Sequence, residues 1–323
     1  MKTTLRCMFS LVLVTGACFS NTDQDQGQEP GPSDLGEVAQ AVTTTAFTAT
    51  YTGQGANAST CNSSFTITGQ EPSVTGTNPV FLYMVGTNES STNASATAAV
   101  QQMAAKGFVA ATIAYDSGSF NNCGPIQGKA KCIFDPNQPT SAVQTLCARA
   151  KADCSKGIVV AGFSQGSVIA TQAKNTDARV RAAWGIGDGV QYSTFNLSSC
   201  QANGNRALSS NNLLVTNGQQ DQFVGGGLGF TAGSITNVRS QTQTLTGLSC
   251  GSTATTCLQS NGSGWIIVLN NQVVDGSADH CFMRASGNLC SGSQNSLDAN
   301  WQNGTDNWEL GAALNFLNSF VSH

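Results

Sequence analysis

Charged side chains are scarce in this sequence. Fourteen basic and 18 acidic residues make up 10% of 323 residues and leave a formal net charge of −4. No run of Lys and Arg would neutralise a phosphate backbone, so nucleic acid is not a predicted partner. The sequence has 2 histidines and no C-x-x-C pair, so it predicts neither a metal site nor a cofactor.

Long apolar runs are also few. The run Met8–Val14 follows Lys2 and Arg6, which predicts a signal peptide over residues 1–17 that is too short to span a membrane. Cys18 then follows Gly-Ala, and this segment resembles the lipobox of bacterial lipoproteins. It departs from that pattern at Thr15, where the family usually has Leu. A lipid tether on Cys18 and ordinary cleavage nearby remain alternatives.

Residues 18–41 contain five acidic residues, no basic residue and little to bury, which predicts a disordered linker. A folded domain is expected over residues 42–323. The protein is therefore expected to be secreted or held at the cell surface. No feature of the sequence predicts an oligomer, and we expect a monomer.

Ten cysteines remain in the predicted domain, and an even set in an exported chain indicates a disulfide framework. Spacing favours local bridges that staple loops, with the two remaining cysteines joined over a long distance. The predicted pairs are Cys123–Cys132, Cys147–Cys154, Cys250–Cys257, Cys281–Cys290 and Cys61–Cys200.

Apolar runs alternate with helical patterns along the predicted domain. This order predicts an α/β fold with a mostly parallel central sheet and helices on both faces. The predicted strands are Thr43–Thr52, Ser64–Thr68, Val80–Val85, Phe108–Tyr115, Ile158–Ala161, Val180–Ile186, Asn212–Asn217 and Trp265–Leu269. The predicted helices are Thr92–Lys106, Ser141–Lys151, Ser167–Ala173, one within Leu228–Thr246, and Trp308–Phe320. Residues Asp116–Asp135 are predicted to form a long loop.

Ser164 lies in a Gly-Phe-Ser-Gln-Gly pentapeptide between the strand Ile158–Ala161 and a helix. Strand, tight turn and helix in this order are the context of a nucleophile elbow, which presents a serine hydroxyl above a sheet. A second G-x-S-x-G sequence surrounds Ser249, but it follows a polar segment and precedes no helical pattern. We interpret the second as a chance match and Ser164 as the predicted nucleophile.

At this motif the chain resembles the α/β-hydrolases, which implies a single hydrolase domain and a base-activated serine. Of the two histidines, His323 is the last residue, whereas His280 follows the final predicted strand, where that family presents its base. The segment Asn217-Gly218-x-x-Asp221-x-x-Val224 resembles the acid loop of dienelactone hydrolases and small carboxylesterases, which often have His-Gly at its start. The resemblance implies a Ser164–Asp221–His280 triad.

Other carboxylates are alternatives to Asp221. Asp188 follows the strand after the elbow, at a position that some relatives use, within a Gly-rich turn that lacks dinucleotide-binding spacing. Asp275 and Asp279 are further candidates, but both lie too close to His280 in sequence for the arrangement that is usual in the family.

The resemblance also implies an oxyanion hole of two backbone N–H groups, at Gln165 and at Thr87 in the loop after Val80–Val85. Here Gly86-Thr87-Asn88 replaces the His-Gly of many relatives. Phe223, Leu228 and Phe230 are candidates for a substrate pocket, or for a plain surface loop.

These features together predict an extracellular serine esterase acting on a small or polymeric ester. The serine motif and the cysteine content also resemble those of cutinases and of extracellular polyester or feruloyl esterases. The alternatives are a peptidase or acyltransferase of the same fold, or a non-catalytic surface protein.

Overall fold

The computed structural model describes residues 42–53, 61, 63–118, 120–192, 195–226, 231–285 and 287–323. The predicted signal peptide, the acidic linker, Cys18, Leu228 and Phe230 lie outside the described residues. In the described part of the chain, no helix combines the length and the apolar character that crossing a membrane requires.

Within the described residues, eleven strands form a sheet of nine strands and a short separate pair. In chain order they are β1 (Thr44–Tyr51), β2 (Phe65–Pro72), β3 (Val80–Met84), β4 (Val109–Ile113), β5 (Ile158–Phe163), β6 (Val180–Ile186), β7 (Gln191–Tyr192), β8 (Phe195–Asn196), β9 (Leu213–Gly218), β10 (Thr256–Leu258) and β11 (Gly264–Val268). The main sheet has the order β1-β2-β4-β3-β5-β6-β9-β11-β10.

The centre of the main sheet is parallel and its margins are antiparallel. Strands β4, β3, β5, β6, β9 and β11 pair in parallel, whereas β1, β2 and β10 add antiparallel edges. Every residue of β3, β4, β5, β9 and β11 is buried, as expected of strands covered on both faces. The predicted mostly parallel sheet is confirmed.

Helices cover both faces of this sheet. In the described part of the chain they are α1 (Ala94–Ala105), α2 (Cys123–Phe134), α3 (Ala142–Cys147), α4 (Gln165–Gln172), α5 (Ser198–Gln201), α6 (Ile235–Thr246), α7 (Ala299–Asn303) and α8 (Leu310–Asn318). Helix α8 contacts α1, α7, β5 and β6, and α4 contacts α2, α5, β3, β5 and β6. The core lies between these helices and the buried strands.

The strand order opens a crevice at one edge of the sheet. Neighbours β3 and β5 have connections that lead in opposite directions, because β3 continues through α1 to β4 and β5 through α4 to β6. Right-handed crossovers then place α1 and α4 on opposite faces. The carboxyl ends of β3 and β5 therefore border the crevice in which ligands of open α/β sheets bind.

The segment Asp116–Asp135 was expected to be a loop, and this expectation is wrong. Residues Cys123–Phe134 form α2, whose N-cap is the Asn122 side chain, a hydrogen-bond acceptor for Gly124 N–H at 2.9 Å. A helix rises about 1.5 Å per residue, so Cys123 and Cys132 lie too far apart for a disulfide, which needs Cα atoms within about 7 Å.

Among the described residues, ten cysteines form five disulfides. The predicted local bridges Cys147–Cys154, Cys250–Cys257 and Cys281–Cys290 are present. The predicted bridges Cys123–Cys132 and Cys61–Cys200 are wrong, since the chain instead forms Cys61–Cys132 and Cys123–Cys200. Helix α2 is therefore tied at both ends to distant segments. Five bridges indicate that the chain folds in an oxidising, extracellular environment.

Candidate active site

Ser164 lies at the sharp turn between β5 and α4, at the crevice. Its backbone angles, φ 53° and ψ −120°, fall in a region that residues with a side chain rarely adopt. A Cβ atom at Gly162 would lie 2.2 Å from the Gly166 carbonyl oxygen, and one at Gly166 would lie 2.2 Å from the Met84 oxygen. Both glycines are required because strand and helix pass too closely for any side chain.

Hydrogen bonds to neighbouring elements hold this strained turn. The Ser164 N–H donates to the Ile186 carbonyl of β6 at 2.8 Å. The Ser167 hydroxyl in α4 donates to the Ser164 carbonyl at 2.6 Å. The backbone is thereby fixed on both sides, while the half-buried Ser164 side chain lines a cavity.

His280 lies in the loop after β11, and its imidazole is restrained by several neighbours. Nδ1 lies 2.7 Å from Oδ2 of Asp221. The rings of Phe163 and Phe223 pack beside the imidazole at centroid distances of 4.8 and 4.6 Å. Gly187, with φ +61°, leaves the space that the ring needs, because a Cβ atom there would lie 2.6 Å from Cε1.

Asp221 follows β9 and is fully buried. Its two carboxylate oxygens have separate partners. Oδ1 accepts hydrogen bonds from the N–H groups of Phe223 at 2.9 Å and Val224 at 2.8 Å, and Oδ2 faces the imidazole. The backbone therefore fixes the carboxylate in the orientation that the His280 ring meets.

The second ring nitrogen of His280 lacks a hydrogen-bond partner in the part of the chain that the structure describes. Nε2 is buried and lacks a hydrogen bond to any described residue. Buried polar atoms are rarely left unpaired in folded proteins, and an exception calls for a functional explanation. A proton on Nδ1, donated to Asp221, leaves a lone pair on Nε2, and both His280 and Ser164 line the same cavity.

The two predicted oxyanion donors belong to different elements, a helix and a loop. Gln165 is the first residue of α4, so its N–H has no acceptor within the helix. Thr87 lines the cavity from the loop after β3. The buried Gln165 side chain links the two, because its Nε2 donates to Thr87 Oγ1 at 2.9 Å.

Lys129 of α2 supports this link and was not predicted. Its ammonium donates to Gln165 Oε1 at 2.8 Å and to the Gly118 carbonyl at 3.2 Å. Burial lowers the pKa of Lys129, and the nearby Asp116 carboxylate opposes that shift. No local pattern signals the contact, since α2 itself was not expected.

A buried ion pair, Glu89–Arg284, was also missed. Arg284 Nη2 lies 2.7 Å from Glu89 Oε1, and both side chains are buried beside the cavity. Oε2 of Glu89 accepts from the Gly86 N–H at 3.0 Å and from the Asn93 amide at 3.2 Å. The pair joins the loop after β3 to the loop that carries His280, and nothing in the local sequence indicates a contact between such distant positions.

Among the alternative acids, Asp188 lies beneath the elbow. It is fully buried, and Oδ1 accepts the Tyr192 hydroxyl at 3.3 Å. Burial raises the pKa of Asp188 to about 7, against the opposing charge of Arg206. The carboxylate that is hydrogen-bonded to the His280 imidazole is that of Asp221 and not that of Asp188.

Asp275 and Asp279 have structural partners in the His280 loop. Asp275 accepts the N–H groups of Ser277 and Gly287 at its exposed position. Asp279 accepts those of Cys281 and Cys290 at 2.7 and 2.6 Å and so joins the two ends of their disulfide loop. Burial raises the pKa of Asp279.

Asp279, Cys281 and Cys290 also place potential metal-ligand atoms within 4.8 Å of one another. Both sulfur atoms belong to one disulfide, and the carboxylate oxygens already accept backbone N–H groups. This cluster is therefore unsuited to hold a metal ion.

The cavity measures about 360 Å³ and is lined by both aromatic and polar residues. The aromatic lining consists of Phe120, Phe163, Tyr192, Phe195 and Phe223. The polar lining includes Thr87, Glu89, Arg284 and Gln294. Phe223 thus lies at the predicted pocket, and the predicted Leu228 and Phe230 are outside the described residues.

The second G-x-S-x-G sequence has no elbow geometry. Gly247 ends α6 in the left-handed conformation, and Ser249 lies in the segment that follows the helix. The segment around Ser249 therefore lacks the strand, turn and helix context on which the prediction of Ser164 rests. Gly185–Gly189 likewise forms the turn at the end of β6.

No protein-family model and no curated protein matches this chain. Among solved structures, the chain is similar to a hypothetical protein from Pseudomonas aeruginosa, at 15% sequence identity and a TM-score of 0.35. The similar region covers 58% of this chain and 54% of that protein, so this chain spans about half the length of the structure it matches.

Proposed function

We propose that this protein is an extracellular serine hydrolase of the α/β-hydrolase type that cleaves carboxylic esters. One observation carries the proposal. A serine in a strained elbow shares a cavity with a histidine whose Nδ1 is hydrogen-bonded to a buried aspartate and whose Nε2 has no partner among the described residues. This combination supplies a nucleophile, a base and a group that orients the base.

In the first half-reaction, the Ser164 hydroxyl oxygen attacks the ester carbonyl carbon, and His280 Nε2 accepts the hydroxyl proton. The carbonyl π electrons move to the oxygen, and the N–H groups of Gln165 and Thr87 stabilise the resulting oxyanion. The ester C–O bond then breaks, and the imidazolium donates its proton to the departing alkoxide. The products are an alcohol and an acyl ester on Ser164.

In the second half-reaction, water attacks the acyl carbon and gives a proton to Nε2. The tetrahedral intermediate collapses, and Ser164 recovers its proton from the imidazolium as the carboxylic acid leaves. Asp221 stabilises the imidazolium in both halves and keeps the ring oriented.

The chain order of the site supports the family assignment. Ser164, Asp221 and His280 follow the α/β-hydrolase order, which differs from the orders in chymotrypsin and subtilisin. Each residue also follows a strand of the parallel region, namely β5, β9 and β11. The serine motif and acid loop resemble those of dienelactone hydrolases and small carboxylesterases.

Ester cleavage outside the cell fits two further features. The aromatic lining beside Ser164 suits an apolar acyl or alcohol group. The five disulfides suit an exported protein, and export through residues 1–17, with or without lipidation of Cys18, completes the proposal.

A fluorophosphonate probe tests the nucleophile directly. We expect intact-mass analysis to show one adduct and peptide mapping to locate it at Ser164. Ser164→Ala should remove labelling and lower the hydrolysis of p-nitrophenyl butyrate by at least ~10³-fold. Ser249→Ala is the matched control, because it changes a serine in the same sequence motif outside an elbow. This variant should keep the native labelling and the native rate of hydrolysis.

The outcomes separate the alternatives. Labelling elsewhere, or native ester hydrolysis by Ser164→Ala, would refute the proposal. Amide substrates cleaved faster than esters would indicate a peptidase, and acyl transfer to added alcohols in preference to water would indicate an acyltransferase. A native protein that neither labels nor hydrolyses any ester would be a non-catalytic surface protein.

A further inference from the structure

Arg284 is a cation in a cavity whose lining includes the rings of five Phe and Tyr residues. Its side chain is 4% exposed, and its guanidinium lies 5.0 Å above the centre of the Phe163 ring. Phe163 directly precedes Ser164 and packs against His280. The guanidinium is thereby held close to the reacting groups, as part of the same cavity wall.

The guanidinium retains unused hydrogen-bond donors. Nε and Nη2 have no partner with hydrogen-bond geometry among the described residues, although Nη2 lies 2.7 Å from Glu89 in an ion pair. The remaining nitrogen, Nη1, contacts only the Cys281 sulfur at 4.0 Å within the described part of the chain. Leaving buried charged donors unpaired is costly, so an acceptor from a bound molecule would be stabilising.

The charge around Arg284 favours a neutral acceptor over an anionic one. The Glu89 carboxylate already balances the guanidinium charge. A substrate carboxylate at this position would approach Glu89 in surroundings of low polarity, where repulsion between like charges is strong. A ketone, hydroxyl or second ester carbonyl accepts a hydrogen bond without that repulsion.

A cluster of aromatic rings in the cavity lining suits the apolar part of a substrate. The ring of Phe120 packs 5.8 Å from Tyr192 and 5.6 Å from Phe195, which forms one continuous aromatic surface. The cavity volume of about 360 Å³ lies near the lower end for ligand pockets, which run from roughly 300 to 1,000 Å³. A small ester, or one repeat of a longer one, fits this space.

We infer that Arg284 is a specificity-determining residue that binds a second, neutral hydrogen-bond acceptor of the ester substrate. The substrate class is then a carboxylic ester with an apolar chain and a further carbonyl or hydroxyl oxygen a few atoms from the scissile bond. This inference rests on the proposed ester hydrolysis and adds the chemistry by which substrates are distinguished.

Matched substrate pairs test the inference and show which half of the ester carries the acceptor. Ethyl 4-oxopentanoate and ethyl pentanoate differ by a ketone in the acyl half. The corresponding pair in the alcohol half is 3-oxobutyl acetate and butyl acetate. With hydrolysis followed by pH-stat, we expect one ketone ester to exceed its apolar match in kcat/KM by about tenfold, the effect of one hydrogen bond to a charged donor.

Arg284→Met should reduce that ratio to about one, whatever happens to the absolute rates. Arg149→Met is the matched control, because Arg149 also pairs with a glutamate, Glu71 at 2.7 Å, and stacks on a phenylalanine, Phe47 at 3.6 Å, outside the cavity. The control should keep the native ratio. A ratio is insensitive to a general loss of folded enzyme, which a purely structural role of Arg284 would cause.

Monoethyl succinate, with a carboxylate where ethyl 4-oxopentanoate has its ketone, should be hydrolysed more slowly than the ketone ester. No preference in either pair, a preference that survives Arg284→Met, or faster hydrolysis of the succinate would overturn the inference. Fluorophosphonate labelling of each variant keeps the two proposals apart. A protein that labels at Ser164 but shows no preference contradicts the inference alone.

Discussion

At the scale of residues, the orientation of one imidazole depends on Asp221. The ring of His280 packs against two phenylalanines, but the packing leaves open which nitrogen carries the proton. The carboxylate fixes the tautomer because it accepts the Nδ1 proton at 2.7 Å. An amide in its place offers either an oxygen or an NH₂ group to Nδ1, and the NH₂ group stabilises the wrong tautomer.

Asp221→Asn should therefore lower kcat for p-nitrophenyl butyrate by ~10³- to 10⁴-fold, with a much smaller change in KM. Asp275→Asn is the control, because Asp275 is an exposed acid in the loop that carries His280 and should leave kcat within about twofold. Steady-state kinetics on both variants decide the matter. A loss of less than tenfold for Asp221→Asn would show that another group orients the imidazole.

We expect Asp188 to affect stability rather than chemistry. Burial raises the pKa of Asp188 from 3.8 to about 7, so the folded protein favours the neutral acid. The contribution of Asp188 to the free energy of unfolding is therefore highest below about pH 4, and it falls as pH rises through 7. Three pKa units correspond to roughly 4 kcal/mol.

Asp188→Asn keeps an acceptor for Tyr192 and removes the titration. We expect its free energy of unfolding to match the native value near pH 4 and to exceed it above pH 7 by up to a few kcal/mol. Guanidinium denaturation across this pH range measures the difference. A constant difference at every pH would show that Asp188 does not titrate in this range in the folded protein.

At the scale of elements, the Cys281–Cys290 bridge restrains the loop that carries His280. The bridge closes a sequence separation of 9 residues, and Asp279 joins both ends through backbone hydrogen bonds. The geometry of the base therefore depends on a crosslink that directly follows it in sequence. A bridge of similar length, Cys250–Cys257, lies outside the cavity lining and offers a comparison.

Replacing both Cys281 and Cys290 by Ser should lower the free energy of unfolding by about 3 kcal/mol and also lower kcat. The same change at Cys250 and Cys257 should cost a similar free energy and leave kcat within about twofold. Denaturation and kinetics on the two double variants separate stability from positioning. An equal effect on kcat in both would contradict a positioning role for the His280 loop.

The elements that the sequence predicts well are those with continuous apolar runs. Strands β3, β5 and β6 lie where their runs predict, because the burial of all residues but Arg181 leaves little freedom in composition. Helix α2 was missed because Gly124, Pro125 and Gly128 interrupt its helical pattern. Pro125 is tolerated because it lies in the first turn, where backbone N–H groups have no helical acceptor. Strand β10 has only 3 residues and no apolar run.

The site divides in the same way. Ser164, Asp221 and His280 each follow a strand, so chain order and motif predict where they lie, and the structure brings them together. The Glu89–Arg284 pair and the bond from Lys129 to Gln165 join segments that are far apart in the chain. No local sequence pattern encodes such contacts. The wrong disulfide pairs have the same origin, since spacing favours near neighbours and ignores the fold.

At the scale of the whole molecule, the disulfides differ in how much chain they restrain. Cys61–Cys132 and Cys123–Cys200 close separations of 71 and 77 residues, whereas Cys147–Cys154 closes 7. The two long bridges hold α2 to segments on either side of it, and α2 in turn positions Lys129 against Gln165. They thereby link global stability to the position of Gln165, one of the two predicted oxyanion donors.

Loop-closure entropy makes the long bridges the stronger stabilisers. In the chain-entropy model, removing Cys123–Cys200 by serine substitution should cost about 4.5 kcal/mol, against about 2.5 kcal/mol for Cys147–Cys154. The two double variants, unfolded in guanidinium under otherwise equal conditions, measure this difference directly. Equal losses would mean that the unfolded chain already holds α2 near α5, or that native packing rather than chain entropy sets the contribution of each bridge. A larger loss for the long bridge would show that loop-closure entropy sets the difference, and that Cys123–Cys200 contributes more than Cys147–Cys154 to the stability of the fold that carries Ser164.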